Sequence, residues 1–361
     1  MLRSARKEPS IAPLRPTRSI LAAILGTALV LVAAEVVVRM WLVSPTASVA
    51  DARYGWVLRP HARIVSSTEG WSVRRTNSMG LLDDELRVPR ARVRAVLLGD
   101  SFTEALQVAQ DADFESVAER LVPELEVVNV GCSGRGPAEY ADWLEEHGPG
   151  LAPDLVIVQL NDWDLGDVIR PASLARQAAA ARGVAPPMAV VKHAGPVKRL
   201  LKQLQSNSVL VILARVRMQR LYNDARTRLL NRLHGTSAAA ATLPSPTYVE
   251  DPRLPALMDA LHRRIAAQAP RVLYLYVPCV DYFAPHIDHI EPQVAAFYHA
   301  FAARNRVTLV DPIDEFRAEF ARTGQPLHGF QNTVPGIGHL NVAGHRVVGE
   351  RLARAIGEAL R

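Results

Sequence analysis

Cysteine is nearly missing from this chain: its 361 residues hold two, Cys132 and Cys279. Two thiols cannot build a disulfide framework, and their spacing matches no metal-ligand pattern. There is no glycine-rich phosphate loop, so no nucleotide cofactor is implied, and no metal either. Aromatic residues amount to 6%, and no internal repeat is evident. Acids are scarce in one stretch: Arg176 to His234 carries twelve Lys/Arg against the single acid Asp224, a net +11. The whole chain is only +6, and the first eighteen residues contribute +4 of it, so the rest of the exported part is near −9. Charge is segregated rather than uniformly basic. Only Tyr222 is aromatic in the basic stretch, and no known motif accompanies it, which argues against nucleic acid as a partner.

What is present reads as globular: 49% hydrophobic and 22% charged, with a length that suits one large α/β domain with appendages or two small domains. From Ser19 to Ala34 run sixteen uncharged, mostly apolar residues, then Glu35 and Arg39 at i,i+4 spacing and a further apolar run to Val43. As a helix, 19–43 extends roughly 37 Å, enough to cross a hydrocarbon core of about 30 Å with tilt. Arg3, Arg6, Lys7, Arg15 and Arg18 before it predict a cytoplasmic tail over 1–18 and an exported domain beyond. Ser48-Val49-Ala50 offers the alternative of a cleaved signal peptide. Both readings export the same domain, as expected of a single-pass protein of a bacterial inner membrane with a periplasmic domain, and the exported site further disfavours nucleic acid.

After a connecting segment over 44–94, five β-rich apolar runs alternate with helical patterns: Ala95–Leu98, Glu126–Val130, Leu155–Leu160, Val272–Val277 and Val307–Val310. Such alternation predicts a parallel sheet with ligands at the carboxyl ends of the strands. The chemistry is then expected at Gly99-Asp100-Ser101, Gly131 to Gly136, Asn161-Asp162, Pro278 to Asp281 and Asp311. Between the third and fourth runs lies an excursion, about 172–245, with apolar residues at helical spacing (Val197, Leu200, Leu201, Leu204; Met218, Leu221, Tyr222, Ala225, Leu229). It reads either as helices with solvated basic faces or as a cap leaning on anionic lipid or glycan.

A serine that follows a strand and opens a helix is a candidate nucleophile, because the helix's free N–H groups favour developing negative charge. Its company is ordered: Ser133-Gly134 after the second strand, Asn161-Asp162 after the third, Gly338-His339-Leu340-Asn341 before the last helix. On these blocks the chain resembles the SGNH (GDSL) hydrolase superfamily. Gly99-Asp100-Ser101-Phe102 matches its nucleophile block, Val128 to Gly134 its second block, Asn161 its third, and His339 to His345 its last. Thr76 to Gly80 and the Glu35…Arg39 end of the span are similar to membrane-anchored bacterial members. The resemblance implies a flavodoxin-like three-layer α/β fold over 95–361, with a helical insertion and an N-terminal transmembrane helix. It implies Ser101 as nucleophile, His339 as base, and an oxyanion hole from Ser101, Gly134 and Asn161.

Two departures stand out. Gln159 occupies a position where the family usually has glycine. The acid normally two or three residues before the base is absent, with Gly336 and Ile337 there instead. That absence leaves a Ser101–His339 dyad, a dyad supported by a carboxylate or carbonyl from elsewhere (Asp311, Asp314 or a backbone carbonyl near Pro335–Ile337), or an inactive enzyme. Asp100 is expected to brace its turn, Cys132 to be a small buried hydrophobe and His345 to be structural. Cys279 should lie roughly 14 Å from Cys132 if the strands order 2-1-3-4-5, too far for a disulfide. The expected reaction is ester hydrolysis or acyl transfer, on an acylated carbohydrate or other ester, and a membrane-bound acyltransferase would be a fitting partner. The alternative is a non-catalytic glycan-binding or assembly subunit of a polysaccharide-modifying system.

Overall fold

The structure, a computed structural model, describes residues 16–41, 47–188, 247–282 and 287–361, together with Leu210 and Met218. Most of the basic excursion, including its 197–229 pattern, lies outside the described residues. Helix α1 (Pro16–Trp41) contains a 23-residue apolar stretch, Ser19–Trp41, long enough to cross a membrane and compatible with an anchor or a signal sequence. Its Arg39 Nε donates to Glu35 Oε1 at 2.9 Å, so the pair closes on one helix face as the spacing predicts. Glu35 Oε2 also accepts the Leu210 N–H at 3.0 Å.

The segment read as a connection is itself built structure. It holds two antiparallel hairpins, β1 (Ser48–Asp51) with β2 (Gly55–Leu58) and β3 (Arg63–Ser66) with β4 (Ser72–Arg75). The alternating units follow: β5 (Val93–Leu98), α2 (Ser101–Glu104), α3 (Phe114–Leu121), β6 (Leu125–Asn129), α4 (Pro137–Leu151) and β7 (Leu155–Leu160). After α5 (Asp164–Val168) and α6 (Pro171–Ala181) the chain continues through α7 (Leu254–Ala266), β8 (Val272–Tyr276) and the small hairpin of β9 (Val280–Asp281) and β10 (Asp288–His289). It ends with α8 (Pro292–Asn305), β11 (Thr308–Val310), α9 (Ile313–Thr323) and α10 (Val342–Ala359).

Five strands form one parallel sheet in the order β6-β5-β7-β8-β11. Counted along the chain that order is 2-1-3-4-5, the flavodoxin-like arrangement. Successive β5 residues face opposite layers: Ala95 and Leu97 pack with Phe114, Val348 and Leu352, whereas Val96 and Leu98 pack with Ala141, Leu144 and Leu261. The first layer is α3, α9 and α10, and the second is α4, α7 and α8. With both faces covered, every β5 and β7 residue is buried, which is why these strands read as continuous apolar runs. Each such Leu or Val removed from water contributes about 1.5–3 kcal/mol. Gly349 has a specific role in the first layer. A Cβ there would meet Phe114 O at 2.6 Å and Val117 Cβ at 2.5 Å, so glycine lets α10 lie close against α3. Both cysteines are free, one beyond β6 and the other three strands away beyond β8.

Candidate active site

The site lies past the carboxyl ends of β5, β6 and β7, around the start of α2. After β5 ends at Leu98, Gly99 turns the chain where a Cβ would stand 2.0 Å from Thr103 Oγ1 and 2.7 Å from Gln159 Oε1. Gln159 is therefore part of the turn: its Oε1 accepts the Thr103 hydroxyl at 3.0 Å and the Asp100 N–H at 3.3 Å. A glycine at 159 would leave this support out. Asp100 caps α2, accepting Phe102 N–H at 3.0 Å on Oδ1 and the Asn161 amide at 2.8 Å on Oδ2. Burial pushes the Asp100 carboxyl above its ordinary range, against the opposing effect of those hydrogen bonds. Ser101 thus opens the helix at a turn held from three sides.

Asn161 leaves the end of β7 almost completely buried. Its Oδ1 accepts the Trp163 N–H at 2.8 Å, its own N–H goes to Asp164 Oδ2 at 2.8 Å, and one amide hydrogen goes to Asp100. Among the described residues, no acceptor takes the other amide hydrogen. The 129–134 loop is stitched to α2: Asn129 Nδ2 donates to Thr103 O at 3.0 Å, Cys132 N to Gly99 O at 3.1 Å, and Ser133 N to Glu104 Oε2 at 3.2 Å. The Ser133 hydroxyl also donates to Glu104 Oε2. Gly134 sits at φ +79° with open space where a Cβ would be, the left-handed backbone glycine tolerates best.

His339 precedes α10, whose first turn Asn341 caps by accepting Gly344 N–H at 3.1 Å. Its Nε2 lies 2.9 Å from Ser101 Oγ, so the structure brings together the two residues expected to act as nucleophile and base. Its ring packs on Phe102, centroids 4.9 Å apart, and Phe102 in turn stacks on Trp163. Of the alternatives left open by the missing acid, the structure has a carboxylate from elsewhere in the chain beside His339. Glu69, in the turn between β3 and β4, places Oε2 at 2.6 Å from His339 Nδ1 and accepts the His339 backbone N–H on Oε1 at 2.9 Å. A carboxylate can only accept, so Nδ1 carries the proton and Nε2 is left to accept the Ser101 hydroxyl. Burial raises the Glu69 pKa, but the hydrogen bonds and charge of His339 outweigh it and hold the carboxyl below its usual range.

The substitutes expected from the sequence are engaged elsewhere. Asp311 accepts from His289 Nε2 at 3.0 Å and His299 Nε2 at 3.1 Å, and Asp314 pairs with Arg317 at 2.7 Å. No backbone carbonyl takes the Nδ1–H, because Glu69 occupies that position. Gly338 makes the room: at φ +106°, a Cβ there would stand 2.2 Å from Glu69 Oε1. The glycine-rich approach to His339 is thus the socket for an acid delivered from another part of the chain.

Two fastenings set the position of that acid. Asn332 accepts Gly70 N–H at 2.9 Å and donates to Ser67 O and Gly70 O at 3.1 and 2.9 Å, joining the turn to the loop before His339. Arg74, fully buried on β4, donates to Glu104 O at 3.0 Å and Ala105 O at 2.9 Å, main-chain carbonyls at the end of α2, and to Asp113 Oδ2 at 2.7 Å. The hairpin is therefore registered against the helix that begins with Ser101. Behind the site His328 is completely buried and held down to about 3, by burial first and then by the charge of His339. Among the described residues, no group of three or more His, Cys, Asp and Glu side chains is arranged to hold a metal.

A serine, a histidine and a carboxylate in hydrogen-bonded series, beside a glycine turn and a buried asparagine, form a site of the serine-hydrolase class on a flavodoxin-like sheet. Residues 97–347 match the GDSL-like Lipase/Acylhydrolase family, and the chain belongs to that family. No curated protein matches it. Among solved structures it is similar to a lipolytic G-D-S-L family protein from Veillonella parvula, at 11% identity over 73% of this chain and 98% of that one, TM-score 0.41. An acetyl xylan esterase is similar at 14% identity over 73% and 100%, TM-score 0.41. A catalytic mutant of an acetylxylan esterase from Geobacillus stearothermophilus is similar at 15% identity over 74% and 95%, TM-score 0.40.

Proposed function

We propose that this chain is a membrane-anchored, extracytoplasmic serine esterase or O-acyltransferase acting on ester-linked acyl groups through a Ser101–His339–Glu69 triad. The observation that carries the reading is the unbroken series Glu69 Oε2–His339 Nδ1–His339 Nε2–Ser101 Oγ, at 2.6 and 2.9 Å. Ser101 Oγ attacks the acyl carbonyl while His339 Nε2 takes its proton, and Glu69 stabilises the imidazolium that results. The N–H groups of Ser101 and Gly134 and the remaining amide hydrogen of Asn161 receive the oxyanion. On collapse the ester C–O bond breaks and His339 returns the proton to the leaving alcohol. A water or a sugar hydroxyl then attacks the acyl-serine, with His339 again as base, giving hydrolysis or transfer. An acylated envelope carbohydrate is one acceptor or substrate of the right chemistry, and a membrane-bound acyltransferase is a fitting partner.

The non-catalytic reading rested on the missing acid, and the carboxylate of Glu69 beside His339 supports the esterase reading over it. The test is turnover of a small chromogenic acetyl ester by the full chain and by Ser101→Ala. Turnover that disappears in the variant supports the esterase reading, and equal turnover overturns it.

A further inference from the structure

Two of the groups assigned to the oxyanion come from separate segments, Gly134 from the loop after β6 and Asn161 from the end of β7. A third segment joins them. Asp164, the first residue of α5, is 1% exposed, and its Oδ2 accepts the Asn161 N–H at 2.8 Å. Its Oδ1 lies 3.4 Å from the hydroxyl of Tyr140, a buried residue of α4, and that hydroxyl lies 3.2 Å from Arg135 O. Arg135 follows Gly134, and its own N–H closes the turn onto Cys132 O at 3.2 Å. A continuous polar path therefore runs from Asn161 through Asp164 and Tyr140 to the turn that carries Gly134.

The hydrogens along this path can be counted. A phenol carries one, and the Tyr140 hydroxyl sits between two acceptors, the Arg135 carbonyl and the Asp164 carboxyl. If Asp164 were a carboxylate, one of these contacts would set lone pair against lone pair, and an unmade bond is costly where both groups are buried. With a proton on Oδ1, Asp164 donates to Tyr140, Tyr140 donates to Arg135 O, and every contact is a hydrogen bond.

The surroundings favour the same form. Among the described residues no Lys, Arg or His forms an ion pair with Asp164, and Arg170, in the same segment, takes Asp167 at 3.2 Å instead. Asp100 at the nucleophile turn and Asp167 on α5 set like charge against Asp164. Glu139 adds negative charge beside Asp167 and Tyr140, and the remaining titratable neighbours are the phenols of Tyr140, Tyr298 and Tyr248. Burial first, and then the charge of Asp100, push the Asp164 carboxyl well above its usual range. Asp100 is the better anion of the two. It accepts both the Phe102 N–H and the Asn161 amide, and the charge of His339 favours its ionised form.

We propose that Asp164 is a positioning residue that works as a neutral carboxylic acid, accepting the Asn161 N–H and donating through Tyr140 to Arg135 O, so that Asn161 and the Gly134 turn keep one register. The inference rests on the serine-esterase reading, in which those two elements receive the oxyanion. It goes beyond that reading by naming the group that aligns them and the form in which it does so. Oxyanion donors act through preorganisation, so a group that fixes their spacing affects the transition state more than the bound substrate.

The test uses the full chain and three variants, Asp164→Asn, Asp164→Ala and Tyr140→Phe. Asparagine offers an acceptor oxygen and an N–H donor where the neutral acid has its two oxygens, and it cannot ionise. On nitrophenyl acetate, Asp164→Ala and Tyr140→Phe should lower kcat about tenfold or more with KM little changed, a loss bounded by the 10²–10³-fold or so of a missing oxyanion donor. Asp164→Asn should recover most of the loss at that position. The second readout is Tm against pH, which needs no turnover. A carboxyl kept neutral in the fold ionises in the unfolded chain above about pH 4, so wild-type stability falls as pH rises from there towards the raised folded value. The Tm of Asp164→Asn should therefore climb relative to wild type over that rise. A kcat for Asp164→Asn as low as that of Asp164→Ala, an undiminished kcat in Tyr140→Phe, or a Tm difference constant with pH overturns the proposal. Should Asp164→Ala not fold, Tyr140→Phe supplies the reference loss. Turnover that survives in Ser101→Ala sinks the esterase reading alone, and the Tm comparison still decides the state of Asp164.

Discussion

Glu69 and His339 are 270 positions apart in the chain, and their side chains meet at 2.6 Å. Gly338 leaves the space in which the carboxylate sits, and the β3–β4 hairpin brings it there. This pairing makes the histidine's tautomer definite, and most of what can be measured at the site depends on it.

Glu69→Gln should keep the fold and lose most of kcat, by about 10²–10⁴-fold, because an amide in that place no longer compels Nδ1 to carry the proton and cannot stabilise an imidazolium. Glu69→Asp, charged but one methylene shorter, should recover part of the loss. Asp311→Asn and Asp314→Asn should each cost less than tenfold, since those carboxylates serve His289, His299 and Arg317. Steady-state kinetics on a labile ester decide it. A mild effect at Glu69 beside a thousandfold loss at Asp311 would refute the assignment of the acid.

On the proposed mechanism, Asn161→Ala removes an oxyanion donor and should lower kcat about 10²–10³-fold with little change in KM. The same change strips Asp100 and the Trp163 N–H of a partner. A melting measurement beside the kinetics therefore separates the two roles. If Tm falls and the per-folded-molecule kcat does not, the amide is only a brace.

At Gly131 a Cβ would stand 2.3 Å from Glu104 N and 2.5 Å from Thr103 C, both main-chain atoms that cannot rotate away. Gly131→Ala should cost about 1–3 kcal/mol through overpacking and lift the 131–134 loop off α2. Gly134→Ala has open space but must hold φ +79°, so it should cost roughly 1 kcal/mol of backbone strain. Denaturant midpoints of the two variants should rank Gly131→Ala as the less stable, and the reverse order would contradict this packing.

Acid should destabilise the domain through two histidines. His328 and His345 are completely buried and held down to about 3 from an ordinary 6.5, by burial first and then by neighbouring positive charge. A basic group with a lowered folded pKa is protonated in the unfolded chain while still neutral in the fold. Stability therefore falls as pH drops from about 6.5 towards 3, by up to about 1.4 kcal/mol per pH unit for each histidine. Urea midpoints at a series of pH values should show this slope, and His328→Gln with His345→Gln should flatten it. An unchanged slope in the double variant would show that other groups carry the acid sensitivity.

Much of this was open to reading in one dimension. Parallel strands buried on both faces are mostly apolar, so β5, β6, β7 and β8 are visible as short apolar runs despite the buried Arg94, Glu126, Asn129 and Gln159. A nucleophile needs a tight turn into a helix, so Gly99-Asp100-Ser101 is visible as well. Asn161 and His339 follow because each sits immediately after a strand or before a helix whose start is marked. The apolar length of α1 and its Glu35–Arg39 pair depend only on neighbours three to five residues away, within the reach of sequence pattern.

The acid could not be found that way. Nothing in Ser66-Ser67-Thr68-Glu69-Gly70 distinguishes a catalytic carboxylate from a turn residue, and the gap before His339 announces only that something is absent. Which carboxylate fills it is decided by the packing of the β3–β4 hairpin: Arg74 on the end of α2, Asn332 on the turn, and the space left by Gly338. Local sequence determined the strands, the tight turn at Ser101 and the placement of His339 before the last helix, because backbone propensity and burial period act over a few residues. Which carboxylate meets His339 was decided by tertiary contacts, because a hydrogen bond across 270 residues leaves no periodic trace in the chain.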